Sequence, residues 1–333
     1  MRRSNTVSMV GAFLILLSLT LAVPMAQAAE KDYPRKPITM VMPFPAGSAT
    51  GISAQQLAGI ITQKKFLPHP IQVVFKPGGA GSIGTAEALQ GKPDGYTLVY
   101  SATAPILIHP LVKDLPYSHR SLIPIIQTLR SSWILSVRND SPWKNVQEFF
   151  EYAKQHPGEV TVGSAGDYSW GHVGLLQIMK ATGLKFRHIP FEGSQPNVTA
   201  LLGGHIRASM TISGDVTKQV SAGKVRVLAT VEAERTPYYP DAPAIRELGY
   251  DVAGTMFTNI VIAPKGTPEA VVVTLHDAFK KALETPEWAD FIKKVGASPG
   301  YIGYRDLPPI LEKYVKETAA LLEAIGVKVR KIE

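Results

Sequence analysis

Pro43-Phe44-Pro45-Ala46-Gly47-Ser48-Ala49-Thr50-Gly51 follows the β-branched run Ile38–Met42 and precedes the helix-forming run Ile52–Thr62. It reads as strand, small-residue loop, helix. The same grammar returns at once: Ile71–Phe75, then Pro77-Gly78-Gly79-Ala80-Gly81-Ser82-Ile83-Gly84, then Thr85–Leu89. A loop of this kind exposes backbone N–H groups at the positive end of a helix dipole, where an anion is held without Arg or Lys. Two of them in close succession predict a protein that grips a carboxylate or phosphate with its backbone.

Working outward, strand-like and helix-like segments alternate, the pattern of an α/β protein with largely parallel sheets. Strands are expected near Thr97–Ser101, Trp133–Val137, Val160–Val162, Phe186–Ile189, Arg207–Ile212 and Val225–Thr230. Helices are expected over Val146–Gln155, Gly171–Ala181, Pro196–Leu202, Glu269–Leu283 and about Leu307–Ile325. Pro93-Asp94-Gly95 reads as a turn, and Thr267-Pro268 as a helix start. An apolar run from Met256 to Ala263 is placed to return the chain to its first domain.

The N-terminus has its own signature. Arg2-Arg3, an apolar run from Val7 to Val23 and Ala26-Gln27-Ala28 form a charged region, a hydrophobic region and an A-x-A cleavage site. Residues 1–28 therefore read as a secretory signal peptide. The run is slightly short for a membrane span, and no later segment is apolar enough to be one. The protein is expected to be exported, soluble and periplasmic. Removing 28 of 333 residues leaves 305, enough for about two domains. The formal charge of +8 falls to +6 without Arg2 and Arg3. Lys and Arg are scattered, which argues against a nucleic-acid partner. With no Cys there is neither a disulfide framework nor a lipid-anchoring thiol.

Gly79-Ala80-Gly81-Ser82-Ile83-Gly84 matches the dinucleotide fingerprint G-x-G-x-x-G, but the next strand ends in Ser101-Ala102-Thr103 and lacks the acidic residue that holds a ribose. A bland alternative is a glycine turn that only lets helix pack on strand. The second loop at Pro43–Gly51 favours the anion cradle. No G-x-S-x-G elbow, H-E-x-x-H or paired-histidine metal spacing occurs. His69, His109, His119, His156, His188 and His205 are isolated along the chain. No catalytic residue, cofactor or metal is expected, although tertiary proximity can assemble what sequence spacing does not.

Several motifs together resemble a known family. They are Tyr33-Pro34, Lys36-Pro37-Ile38, Pro43-Phe44-Pro45-Ala46-Gly47, Lys76-Pro77-Gly78-Gly79-Ala80-Gly81 and Pro93-Asp94-Gly95-Tyr96-Thr97-Leu98. Gly163-Ser164-Ala165-Gly166, Pro190-Phe191-Glu192-Gly193-Ser194, Leu201-Leu202-Gly203-Gly204-His205-Ile206 and Ala263-Pro264-Lys265-Gly266-Thr267-Pro268 continue the series. This order is similar to that of the tripartite tricarboxylate transporter receptors, the TctC or Bug family of extracytoplasmic solute-binding proteins, over essentially the whole mature chain.

The resemblance implies a two-lobed, type-II periplasmic-binding-protein-like α/β fold with crossing strands between lobes. Lobe one would comprise residues 30–130 and 255–333, and lobe two residues 131–254. A small carboxylate (a di- or tricarboxylate, acidic amino acid or aromatic acid) would lie in the cleft. A monomer would deliver it to the membrane permease subunits of a tripartite tricarboxylate-type transporter. From lobe one, the implied ligand-binding residues are Phe44, Ala46, Gly47, Ser48, Ala49, Thr50, Gly79, Ala80, Gly81, Ser82, Ile83, Ser101 and Thr103. From lobe two they are Ser164, Ala165, Gly166, Trp170, Phe191, Gly193 and Asp215. In open α/β sheets, ligands sit beyond the carboxyl ends of strands, where these loops fall.

Two positions depart from the family pattern. Many relatives carry Asp at Gly51, and many carry Lys or Arg at Glu192. Glu192 suits either a ligand with a cationic or hydroxyl end, or a side chain turned to solvent. Trp170 is either a stacking wall for an aromatic acid or a packing residue beneath the next helix. His172, in a first helical turn, is expected to be neutral. Trp133 and Trp143 read as core or lobe-surface residues. An exported hydrolase and a ligand-sensing lobe for a signalling receptor are the competing functions.

Overall fold

The computed structural model describes residues 32–255 and 257–331. The export segment at residues 1–28 lies outside the described residues. From the N-terminal end the chain forms β1 (Ile38–Met42), α1 (Ala49–Gln63), β2 (Ile71–Phe75), α2 (Ser82–Leu89) and β3 (Thr97–Ala102). Two short helical turns, α3 (Ala104–Leu107) and α4 (His109–Val112), lead into β4 (Leu122–Arg130). Ser131-Ser132 carries the chain into a second sheet, with β5 (Trp133–Arg138), α5 (Val146–Gln155), β6 (Thr161–Ser164) and α6 (Trp170–Thr182). There follow β7 (Arg187–Pro190), α7 (Ser194–Leu202), β8 (Ala208–Ile212), α8 (Ser213–Ser221) and β9 (Val225–Thr230). Residues 231–257 return to the first sheet for β10 (Thr258–Pro264), α9 (Glu269–Leu283), α10 (Pro286–Lys294), β11 (Ser298–Gly303) and α11 (Leu307–Ala324).

The six-stranded sheet runs β11-β4-β10-β3-β1-β2, and the five-stranded sheet runs β7-β6-β8-β5-β9. The expectation of largely parallel sheets needs correction. β1 pairs in parallel with β2 and β3, as does β6 with β7 and β8. β10 is antiparallel to both β3 and β4, β11 to β4, and β5 to both β8 and β9. The antiparallel partners are the strands flanking the two crossings, where the chain enters a sheet from the other one. No βαβ crossover precedes such a strand to enforce parallel pairing.

Six elements among the described residues escape the sequence reading: α3, α4, β4, α8, α10 and β11. β4 contains Pro124 and β11 contains Pro299, and prolines argue against interior strands. Both are accommodated at irregularities: register shifts fall between Val261 and Ile262 opposite β4, and between Pro299 and Ile302 in β11. α10 starts with Thr285 accepting from the Trp288 N–H and Pro286 in its first turn.

Each sheet is clad by helices. In the first, Ile38, Met40 and Met42 of β1 pack in one buried cluster with Leu57 and Ile61 of α1 and with Leu275 and Phe279 of α9. In the second, Phe149, Val173, Ile178 and Met210 share a cluster with Trp133 and Trp170. Each such side chain contributes roughly 1.5–3 kcal/mol on burial, so the cores hold the loops between them in place.

Candidate functional site

The loops after β1, β2, β3, β6, β7 and β8 all leave the carboxyl ends of their strands, and those of the two sheets meet. Pro45 faces Gly193, where an added Cβ would lie 3.0 Å from the proline Cδ. Ala80 faces Gly166, whose φ is +128° and where an added Cβ would lie 2.7 Å from the Ala80 Cβ. Only glycine satisfies both that backbone angle and that approach. The lobes are therefore closed on each other.

Between them lies a cavity of about 40 Å³. Such a space takes a few atoms at most, and a larger guest requires the lobes to part. Of the residues proposed from sequence, Phe44, Ser48, Thr50, Ala80, Ala165, Trp170 and Asp215 line it. Gly47 and Ala49 line an adjoining groove of about 460 Å³ that also touches Asp215. Gly193 and Gly166 close the cleft by the contacts above. Gly79, Gly81 and Ser82 form the turn into α2, and the Ser82 hydroxyl is spent on the Gly79 carbonyl. Ala46 backs α1: its carbonyl lies 2.9 Å from where a Cβ on Gly51 would stand, so a side chain there requires this loop to shift.

The remaining predicted residues fall away from the cavity. Ile83 is 59% exposed on α2. Ser101 is enclosed in β3 with its hydroxyl on the Ala102 carbonyl. Phe191 is half-buried, close to Gly163. Glu192 is exposed, which favours the solvent-turned alternative; its charge and that of Asp167 both act on Lys113.

Sequence reasoning missed Trp133, Ile212 and Phe257, all of which line the cavity, as do Ser169, Ser194 and the small Ala102 and Ala104. Trp133 and Phe257 stand at the two crossings and meet edge to face at 5.6 Å. Nothing local in the sequence marks them, because only the crossing brings them together. Ser169 caps α6, accepting from the His172 N–H.

Helix N-termini dominate the polar character. Ser48 caps α1, accepting from the Gly51 N–H at 3.1 Å. Ser169 and Ser194 stand at the starts of α6 and α7, and Asp215 lies in the first turn of α8. The Ala49 N–H at the head of α1 donates to Asp215 Oδ1 across the cleft, at 2.9 Å. Gln195 and Thr211 also donate to that carboxylate, each at 3.4 Å. Burial pushes the Asp215 carboxyl above the usual range, although these hydrogen bonds pull the other way. Trp170 is completely buried and donates its indole N–H to Thr103 Oγ1 at 3.1 Å. It both packs and walls the cavity, so the two readings of that residue merge. Trp133 is 3% exposed, and its indole Nε1 has no partner among the described residues.

Asp167, His172 and His188 correct the impression of isolated histidines. Their ligand atoms lie within 4.8 Å of one another. The two imidazoles stack at 3.8 Å and 6°. Both Nδ1 atoms approach the same Asp167 oxygen, at 3.9 and 3.6 Å, and the Tyr168 N–H already donates to His172 Nδ1. Burial and the neighbouring ring push His172 down to about 4, and burial pushes His188 down as well, so both are neutral near pH 7.

Ser164 Oγ lies 2.7 Å from His188 Nε2, which has the look of a nucleophile and base. The same hydroxyl also lies 3.0 Å from the Gly166 carbonyl, so the carbonyl and the imidazole compete for its one proton. The serine is also completely buried.

Comparison with known proteins places this architecture. The model of the tripartite tricarboxylate transporter family receptor matches residues 54–327. A protein of Cupriavidus necator described as "UPF0065 protein in gbd 5'region" is 35% identical, covering 98% of both chains. A structure titled "Structure of a periplasmic transporter" superposes with a TM-score of 0.83 at 29% identity, over 89% of this chain and 99% of that one. One titled "R. palustris Rpa4515 with adipate" does so with a TM-score of 0.84 at 25% identity, over the same shares of the two chains. The fold is that of the two-lobed periplasmic binding proteins, and this chain belongs to the tripartite tricarboxylate transporter receptor family.

Proposed function

We propose that this protein is an exported, periplasmic receptor that captures a small carboxylate between its lobes and delivers it to the permease subunits of a tripartite tricarboxylate-type transporter. The observation that carries the reading is the Ala49–Asp215 hydrogen bond. The N-terminus of α1 already holds a carboxylate, that of the opposite lobe, and a ligand carboxylate can take its place. Family membership and the adipate complex of a similar protein support the same chemistry. In support of the location, no helix among the described residues is long and apolar enough to cross a membrane, and residues 1–28 have the pattern of a secretory signal.

A charge-assisted hydrogen bond contributes roughly 1.5–3 kcal/mol, so a few of them with some apolar burial reach the ~8 kcal/mol of micromolar binding. Ligand entry parts the lobes, breaking the Ala49–Asp215 bond. Reclosure about the two crossings buries the guest and forms the surface that a permease reads. The mature protein acts as a monomer and makes or breaks no covalent bond.

The test is a thermal-shift and calorimetric screen of the mature protein against mono-, di- and tricarboxylates, acidic amino acids and aromatic acids. At least one should raise the melting temperature and be recovered unchanged. If no carboxylate binds, or if an ester in a parallel panel is turned over, the reading fails.

A further inference from the structure

The bond that a ligand must split also tells what the ligand carries. Parting the lobes at Ala49 and Asp215 leaves an N–H donor with a helix dipole on one side and a carboxylate on the other. Their two heavy atoms stand 2.9 Å apart when closed, so both ends are addressed from one small region. A carboxylate alone satisfies α1 and leaves Asp215 facing a second negative group. A carboxylate with a donor on the neighbouring carbon satisfies both. Among the described residues no Lys or Arg lines the cavity, and the nearby cations Lys218 and Lys294 line the adjoining groove instead. A second ligand carboxylate placed beside Asp215 would meet a like charge with no cationic side chain of the wall to offset it. The rest of the wall is apolar and aromatic: Phe44, Trp133, Trp170 and Phe257. The buried, unpartnered Trp133 Nε1 is a further donor that suits a ligand oxygen.

We infer that Asp215 is a specificity-determining residue, and that the site takes an α-amino acid with an apolar or aromatic side chain. Its carboxylate sits on the N-terminus of α1, its ammonium on Asp215, and its side chain among the four aromatic residues. This rests on the carboxylate-capture reading and narrows it, since a di- or tricarboxylate is disfavoured by the same geometry.

The experiment compares three probes on one skeleton by calorimetry with the wild-type mature protein: phenylalanine, 3-phenylpropionate and phenylsuccinate. Phenylalanine should bind about tenfold or more tighter than 3-phenylpropionate, the scale of one charge-assisted bond, and phenylsuccinate should bind weakest. Asp215→Asn should erase the advantage of phenylalanine and admit phenylsuccinate; Asp215→Ser provides a second variant should the first fail to fold. Phenylsuccinate, succinate or citrate binding the wild type as tightly as phenylalanine overturns the inference while leaving carboxylate capture standing. Absence of binding by every carboxylate tried overturns both.

Discussion

The two glycine-rich loops are near twins in sequence and differ in what they do. In the first, Ser48 caps a fifteen-residue helix and the Ala49 N–H beyond it reaches across the cleft to Asp215. In the second, the loop is absorbed by its own turn. The N–H groups of Gly81 and Ile83 both donate to the Gly78 carbonyl, and Ser82 bonds Gly79. Only Ala80 reaches the cavity, held at a φ of +53° and pressed toward Gly166. Small residues before a helix thus make an anion cradle only where the first helical N–H groups remain pointed outward. Where the turn closes on itself, the same composition makes a bumper.

The contrast breaks most sharply at Ala49. Ala49→Pro deletes one N–H at the first position of α1, where proline is tolerated and where Ser48 is already extended. Carboxylate affinity should fall by about 1.5–3 kcal/mol, tenfold or more, with far-ultraviolet circular dichroism unchanged. Unchanged calorimetric affinity would move the cradle elsewhere.

A second test concerns the opposite lobe at the bumper. His172 sits near 4 when folded, against 6.5 as its reference value. A histidine depressed in this way supports the fold above its unfolded pKa, and that support is lost as pH falls through 6.5 toward 4. The gap corresponds to at most about 3.5 kcal/mol, since one unit is about 1.4 kcal/mol. Urea midpoints should decline over that window, and His172→Gln should flatten the decline.

Gly166→Ala brings a Cβ against Ala80 at a backbone angle that alanine resists, and should cost about 1–3 kcal/mol of stability. Adding Ala80→Gly should recover the steric part but not the backbone part, as thermal melts of the double variant would show. Ala80→Gly alone is the smallest effect. It relieves a left-handed alanine, so stability should change by about 1 kcal/mol or less and carboxylate affinity hardly at all. A large loss of affinity there would return the second loop to the cradle class.

Much of the fold was legible because its signals are local. The runs Ile38–Met42 and Ile71–Phe75, the caps, and the glycine and proline punctuation each act within a few residues. β4 and β11 were hidden by Pro124 and Pro299, whose penalty is absorbed by bulges that only partner strands define. In the site, Phe44, Ser48 and Thr50 followed from the loop after β1. Trp133 and Phe257 did not, because they converge only where the chain crosses between sheets.

By itself, then, the order of residues determined the alternation of strands and helices and the presence of uncharged, anion-ready turns. These depend on backbone preference and on neighbours a few positions away. Tertiary structure alone decided that Asp215 faces Ala49 from 166 positions away, and that four aromatic residues enclose the space beside them. Hydrogen bonds and burial are satisfied between segments, and no short window of sequence contains both partners.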